Sequence, residues 1–140
     1  MKTQIFFKKP IKKYLLIALL ITTSFCVNAQ SKPWPVPSAS INKANPSKGD
    51  AQALLTGKAL YITYCTPCHG KSGKGDGAAA AALAVKPANH TSAAIQGESD
   101  GSLFYKVSEG RPPMPQYKAT LSETQRWALI SYIKTLGKKA

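Results

Sequence analysis

From residue 48 onward, apolar side chains recur at helical intervals in several stretches, and none shows the period-two alternation of a half-buried strand. Asp50 is placed to cap a helix over 50–64, in which Ala53, Leu54, Gly57, Leu60, Tyr61 and Tyr64 keep helical spacing. The alanine-dense segment 78–85 predicts a short helix on propensity alone. Asp100 offers a second cap, for a helix carrying Leu103, Phe104 and Val107 that should stop near Gly110. The clearest pattern is the last: Ser122 and Gln125 form a capping box, and Leu129, Tyr132, Ile133 and Leu136 make one continuous stripe. Trp127 lies roughly 160° around the axis from Leu129 at ~100° per residue, so this helix should pack against two different surfaces. With no strand pattern and no internal repeat, the expected fold class is all-α, built from about four to five short helices.

The pattern stops upstream. Residues 30–47 have no apolar period, and Pro33, Pro35, Pro37 and Pro46 block regular helix, so this stretch reads as an extended linker. The packed domain is expected over 48–140. Residues 1–29 have the three parts of an export signal: Lys8, Lys9, Lys12 and Lys13, an apolar run over 14–27, and Val27-Asn28-Ala29 with a small residue at the cleavage position. The run is short for a membrane span, which takes ~20 apolar residues. Cleavage after Ala29 and a periplasmic location are expected. Acylation of Cys26 is disfavoured by bulky Phe25, and an uncleaved signal would instead anchor the protein to the membrane.

Composition narrows the class further. The chain has 140 residues, about 111 after cleavage, which suits one modest domain and excludes a multidomain enzyme. Its 19 basic and 6 acidic side chains give a formal +13, and five of the lysines lie in the first 29 residues, which leaves the mature chain at +8. That surplus suits an acidic partner or an anionic membrane surface, and equally a basic surface with no dedicated partner. Nucleic acid is not an expected partner, because the chain is read as exported and carries no recognisable binding motif. Short helices joined by Gly- and Pro-rich loops supply little core, so something besides the chain is expected to fill the middle.

Cleavage would remove Cys26 and leave Cys65-Thr66-Pro67-Cys68-His69, a C-x-x-C-H directly after a helix. That is the attachment pattern of a c-type haem. Two thiols three positions apart can each form a thioether with one of the two vinyl groups on one porphyrin edge, and His69 then reaches the iron from one face. Its other ring nitrogen needs an acceptor to fix the tautomer. Three other chemistries use parts of the pattern. A thioredoxin-like dithiol belongs in a βαβ context that this chain lacks. A zinc site would have to use Cys65, Cys68, His69 and His90, and the adjacent Cys68 and His69 would strain a tetrahedral shell. A disulfide leaves His69 unexplained.

For the sixth iron position, Met114 is the only methionine outside the export segment, and Arg111-Pro112-Pro113-Met114-Pro115 restricts its backbone strongly. A lone methionine more often fills a core, but a rigid loop between helices suits a thioether held at fixed distance. His90 is the competing ligand. Its loop, Lys86-Pro87-Ala88-Asn89-His90, has no other ligand-like feature, and a surface histidine is the expected reading. The glycines of 70–77 do not match a phosphate-binding loop, since Cys65 stands where its first glycine is required; they are read as tight turns beside the porphyrin.

On these motifs, residues 48–136 resemble the monohaem class I cytochromes c, in particular short bacterial members. The resemblance rests on the C-x-x-C-H, on Gly57 and Tyr61 before it, on Leu129-Ile130-Ser131-Tyr132-Ile133 as their counterpart in the last helix, and on Gly75-Asp76-Gly77, Lys86-Pro87-Ala88-Asn89 and Met114-Pro115. It implies one haem c joined by thioethers to Cys65 and Cys68, with His69 and Met114 as axial ligands. It also implies a proline carbonyl that accepts the ligand histidine's N–H, for which Pro87 is the nearest candidate. Leu103, Phe104, Tyr117 and Trp127 would line the haem, and the family more often carries an aromatic residue where His90 stands.

The function so implied is single-electron transfer by Fe(II)/Fe(III) cycling in an exported carrier. With both axial positions filled, no catalytic residue and no enzymatic activity are expected. Lys71, Lys74, Lys86, Arg111 and Lys118 would surround the exposed haem edge and steer an acidic redox partner into a transient, salt-dependent complex. Two other readings stay open: the haem-bearing subunit of a larger oxidoreductase, and a small haem peroxidase or gas sensor in which Met114 is displaced.

Overall fold

The computed structural model describes residues 33–137. The predicted export signal at 1–29, and residues 30–32 of the predicted linker, lie outside the described residues. Among those described there are six α-helices, one 3-10 turn and no strand, in line with the all-α expectation. Helix α1 spans Ser38–Ile41, α2 Ala51–Tyr64, α3 Thr66–His69, α4 Ala93–Gly97, α5 Asp100–Glu109 and α6 Glu123–Leu136, with the 3-10 turn at Ala80–Ala82. None of these helices is long and apolar enough to cross a membrane.

The helix ends follow from side chains that replace missing backbone partners. The Asp50 carboxylate accepts the N–H groups of Gln52 at 2.8 Å and Ala53 at 3.2 Å and so opens α2 as predicted. At α6 the box closes in both directions: Gln125 N–H donates to Ser122 Oγ at 3.2 Å, and Ser122 N–H to Gln125 Oε1 at 2.9 Å. At α5 the cap is Ser99, whose Oγ accepts from Ser102 N–H at 3.1 Å; Asp100 is the first helical residue, where the helix dipole favours an acid. The helix predicted over 78–85 shrinks to the 3-10 turn, since so short a segment does not offset the cost of nucleation without a face to bury. Helix α4, which the apolar pattern does not predict, is capped by Ser92.

Helices α2 and α6 form the main contact of the fold. A Cβ added at Gly57 would run into the Ala128 carbonyl and press on Tyr132, so the two backbones meet more closely than any side chain at position 57 permits. Beside that contact the Tyr61 and Tyr132 rings lie 5.2 Å apart, and Tyr61, Leu129 and Ile130 are 0% exposed. The other side of α6 faces α5, where Trp127 stacks on Phe104 at 3.9 Å and 14°. This is the second surface that the offset of Trp127 requires. Buried Arg126 lies against the same pair, its guanidinium 4.7 Å from the Phe104 ring, with Nε donating to the Leu121 carbonyl and Nη1 to the Ser108 hydroxyl.

Residues 33–47, read from the sequence as an extended linker, are instead a packed strap. Helix α1 lies on α5, with the Ser40 carbonyl against the open side of Gly101 and Ser99 Oγ donating to the Ile41 carbonyl at 2.8 Å. Asn45 and Ser47 are buried; Asn45 Nδ2 donates to Ser131 Oγ at 3.0 Å, and that hydroxyl donates to the Ser47 carbonyl at 3.2 Å. Hydrogen-bonding side chains and close backbone contact carry this packing, which a search for apolar periodicity does not register.

Candidate haem site

The turn from α2 into α3 is continuous, with Cys65 closing one helix and opening the next: its N–H donates to Tyr61 at 2.9 Å and its carbonyl accepts from His69 N–H at 2.8 Å. Pro67 lies in the first turn of α3, where a missing N–H costs nothing. One helical turn therefore presents Cys65 and Cys68, both free thiols, and ends on His69. Cys65 is buried, and burial together with neighbouring Cys68 pushes its thiol up to about 12. A reactive dithiol depends on a depressed thiol pKa, so this environment opposes the thioredoxin-like reading.

His69 Nδ1 lies 2.9 Å from the Ala88 carbonyl. A carbonyl only accepts, so Nδ1 carries the proton and the Nε2 lone pair is left for a metal. The acceptor is Ala88 and not the predicted Pro87, because the Pro87 carbonyl is turned towards Gly75, close to where a Cβ would be. Burial lowers the His69 pKa, partly opposed by the Ala88 hydrogen bond, and keeps the ring neutral. The following loop folds back on α3: Gly75 N–H donates to the His69 carbonyl at 2.9 Å, Gly77 N–H to Cys68 at 3.1 Å and Ala79 N–H to Pro67 at 2.9 Å. Gly70, Gly73 and Gly75 take φ of +76°, +78° and +76°, which is the tight turning expected of them.

His90 is not a surface histidine. Its ring stacks on that of His69, centroids 4.0 Å apart and planes 18° off parallel, and meets the edge of Tyr61 at 5.7 Å. Its Nδ1 lies 3.1 Å from the Tyr61 hydroxyl, and its N–H donates to the Gly73 carbonyl at 2.6 Å. Burial, then the neighbouring His69, push its pKa down to about 3. The sequence signal for this placement is weak: it lies only in the resemblance, which implies an aromatic ring at position 90. The rival zinc site, already disfavoured in sequence, finds no support, since no group of three or more His, Cys, Asp or Glu among the described residues is placed to hold a metal ion.

Met114 sits in the loop between α5 and α6, half-buried against the core cluster that contains Cys65. Its backbone pairs with Arg111 in both directions, Arg111 N–H to Met114 carbonyl at 3.0 Å and Met114 N–H to Arg111 carbonyl at 2.8 Å. Tyr117 then ties the loop to the end of α2, its hydroxyl donating to the Tyr64 carbonyl at 3.0 Å. Burial, with Cys65 and Cys68 nearby, pushes the Tyr117 phenol up to about 12. Of the other predicted haem-lining residues, Leu103, Phe104 and Trp127 lie in the buried core. Arg111, predicted to steer partners, is engaged by the strap: its guanidinium lies 4.4 Å from the Trp34 ring, and Nη1 donates to the Pro33 carbonyl at 3.3 Å. Lys71, Lys74, Lys86 and Lys118 are exposed, with Lys118 bridging to Glu109 at 3.2 Å.

Two free thiols on one turn, a neutral imidazole with Nε2 available, and a thioether on a loop tied down beside them form a donor set that suits haem c. Comparison with known proteins agrees. A family model described as cytochrome c oxidase, cbb3-type, subunit III matches residues 52–133. Among solved structures, a chain of the Kuenenia stuttgartiensis reducing HAO-like protein complex is similar, with a TM-score of 0.61 and 28% identity. The match covers 75% of this chain but only 52% of that one, so the present protein spans about half of its neighbour's length. With more than half of its residues inside the family model, the chain belongs to the cbb3-type subunit III family of cytochrome c domains and is a haem c electron-transfer protein.

Proposed function

We propose that the protein is an exported carrier of single electrons that holds one haem c by thioethers to Cys65 and Cys68 and by axial bonds from His69 and Met114. The observation that carries this reading is the pinning of His69 Nδ1 on the Ala88 carbonyl one helical turn from a pair of free thiols, which leaves Nε2 as the one ring atom able to bind iron. The haem would supply an iron that alternates between Fe(III) and Fe(II). The chain's part is to fix ligands and to limit the rearrangement that accompanies a change of charge. The Ala88 hydrogen bond fixes the imidazole tautomer, the Arg111–Met114 backbone pair holds the thioether loop, and the apolar core lowers the local dielectric, which favours the reduced, less charged centre. With His69 and Met114 both bound, the iron would be withheld from oxygen and peroxide, so no catalysis at the haem is proposed.

Export is proposed from the basic and apolar composition of residues 1–29. Exposed Lys71, Lys74 and Lys86 would favour a partner with an acidic surface. A second reading, a haem-bearing subunit working inside a larger redox assembly, is favoured by the similar chain of a multiprotein complex, of which this protein covers about half. An absorption spectrum of the matured protein is the direct test. The reading requires a covalently retained pigment, a low-spin iron and, in the oxidised form, sulfur-to-iron charge-transfer absorbance. Pigment extracted by acidic organic solvent, or an iron that binds carbon monoxide at rest, would overturn it. Copurification from the native source separates the free carrier from the fixed subunit.

A further inference from the structure

His90 is held at more points than a packing residue needs. Its N–H donates to the Gly73 carbonyl at 2.6 Å, its carbonyl accepts from Gln96 Nε2 at 2.6 Å, and its Nδ1 meets the Tyr61 hydroxyl at 3.1 Å. Gln96 is itself anchored to α6 through the Ile133 carbonyl at 3.0 Å. The face of this fixed ring lies flat on His69, at 4.0 Å and 18°. A single hydrogen bond from Nδ1 to Ala88 tolerates a broad range of ring rotations. A second ring clamped against the face removes that freedom, because rotation of His69 would drive its edge into His90.

We propose that His90 is a positioning residue that sets the plane of the axial imidazole by stacking on His69. The role rests on the reading of His69 as an iron ligand. It also gives His90 a function other than ligation: a ring stacked face to face on His69 shares its side of the site and is not placed to bind the iron from the opposite face. An imidazole that donates to a positively charged iron becomes electron-poor, and contact with the face of a neighbouring aromatic ring is then favourable.

The orientation of an axial imidazole shapes the unpaired-electron distribution of a low-spin ferric haem, so the test is the pattern of haem methyl proton shifts and the g anisotropy of the oxidised full-length protein. Wild type is compared with His90→Ala, His90→Leu, His90→Phe and Tyr61→Phe. His90→Ala and His90→Leu are expected to redistribute the methyl shifts while the iron stays low-spin and keeps its sulfur charge-transfer absorbance. His90→Phe, which restores a flat ring, should return most of the wild-type pattern, and Tyr61→Phe, which frees one edge of His90, should give a smaller change than His90→Ala. An unchanged pattern in both His90→Ala and His90→Leu, or a change in His90→Phe as large as theirs, overturns the positioning role with the ligand assignment intact. A wild-type protein without a histidine-ligated iron overturns the ligand assignment first and the positioning role with it.

Discussion

The two sides of the proposed haem site are secured in opposite ways. On the histidine side the groups that touch His69 come from one stretch of chain, 65–90, braced from outside through His90: the loop after α3 bonds back to Pro67, Cys68 and His69, and His69 has a hydrogen bond at its edge and a ring on its face. On the methionine side the holding groups come from distant parts of the sequence. The loop closes on itself through the Arg111–Met114 pair, is bonded to α5 by Tyr117 and Lys118 N–H groups donating to the Val107 and Ser108 carbonyls, and is tied further afield by the Tyr117 hydroxyl to Tyr64 of α2 and by Arg111 to Trp34 and Pro33 of the strap. The difference suggests a division of labour: the stronger donor sits in a fixed frame, and the weaker thioether is held by contacts that distant residues can adjust.

The largest break in this comparison is Met114→Ala. It should abolish sulfur-to-iron absorbance, admit carbon monoxide or added imidazole, and lower the potential by on the order of 0.1 V, a fraction of the ~0.8 V that axial ligands span. The histidine side should keep its low-spin binding of added imidazole. Next, Gln96→Ala removes donors to the His90 and Ile133 carbonyls and leaves these acceptors less well satisfied, at a cost of about 2 kcal/mol in denaturant unfolding. Its effect should appear as lost global stability with the sulfur absorbance retained, since it acts on the histidine side.

The pH dependence sharpens the same contrast. His90 is depressed to about 3 in the folded chain, so the folded state binds fewer protons than the unfolded one below the ordinary histidine range. Stability linked to His90 is therefore fully present above about pH 6.5 and is lost as pH falls towards 3, with a slope of at most about 1.4 kcal/mol per pH unit for one proton. His90→Phe should flatten this part of the profile, as measured by denaturant midpoints between pH 7 and pH 4. The smallest effect is expected from Trp34→Ala, which removes the cation–π contacts of Arg111 and, at longer range, Lys106, worth about 1 kcal/mol. It should raise the affinity for added imidazole about fivefold through the methionine side, and Trp34→Phe should recover part of the loss.

What could be read from the sequence follows the same divide. The C-x-x-C-H, the Asp50 cap and the Ser122–Gln125 box are local, and each depends on residues within a turn of one another, so their spacing is enough. The acceptor for His69 is Ala88, one residue beyond the expected Pro87, because spacing does not reveal which carbonyl turns inward. Ser99 and Asp100 are both good cap residues in sequence, and the extended backbone at Ser99 is what makes it the cap. Nothing near His90 in sequence marks it as buried, because its partners, Tyr61, His69 and Gln96, are brought to it by the fold. The strap has no apolar pattern for a related reason: its buried residues are Asn45 and Ser47, which hydropathy places outside.

The close approach of Gly57 to Ala128 joins the first long helix of the domain to its last. Closing so large a loop costs entropy that local helix formation does not return, so this fold nucleates late compared with a bundle of sequential neighbours. A chain still being made has α2 and its cysteines in place before any α6 exists to bury them. The thiols are thus open to modification while the chain is being made, and arrival of the C-terminal segment shuts the structure around whatever has been attached.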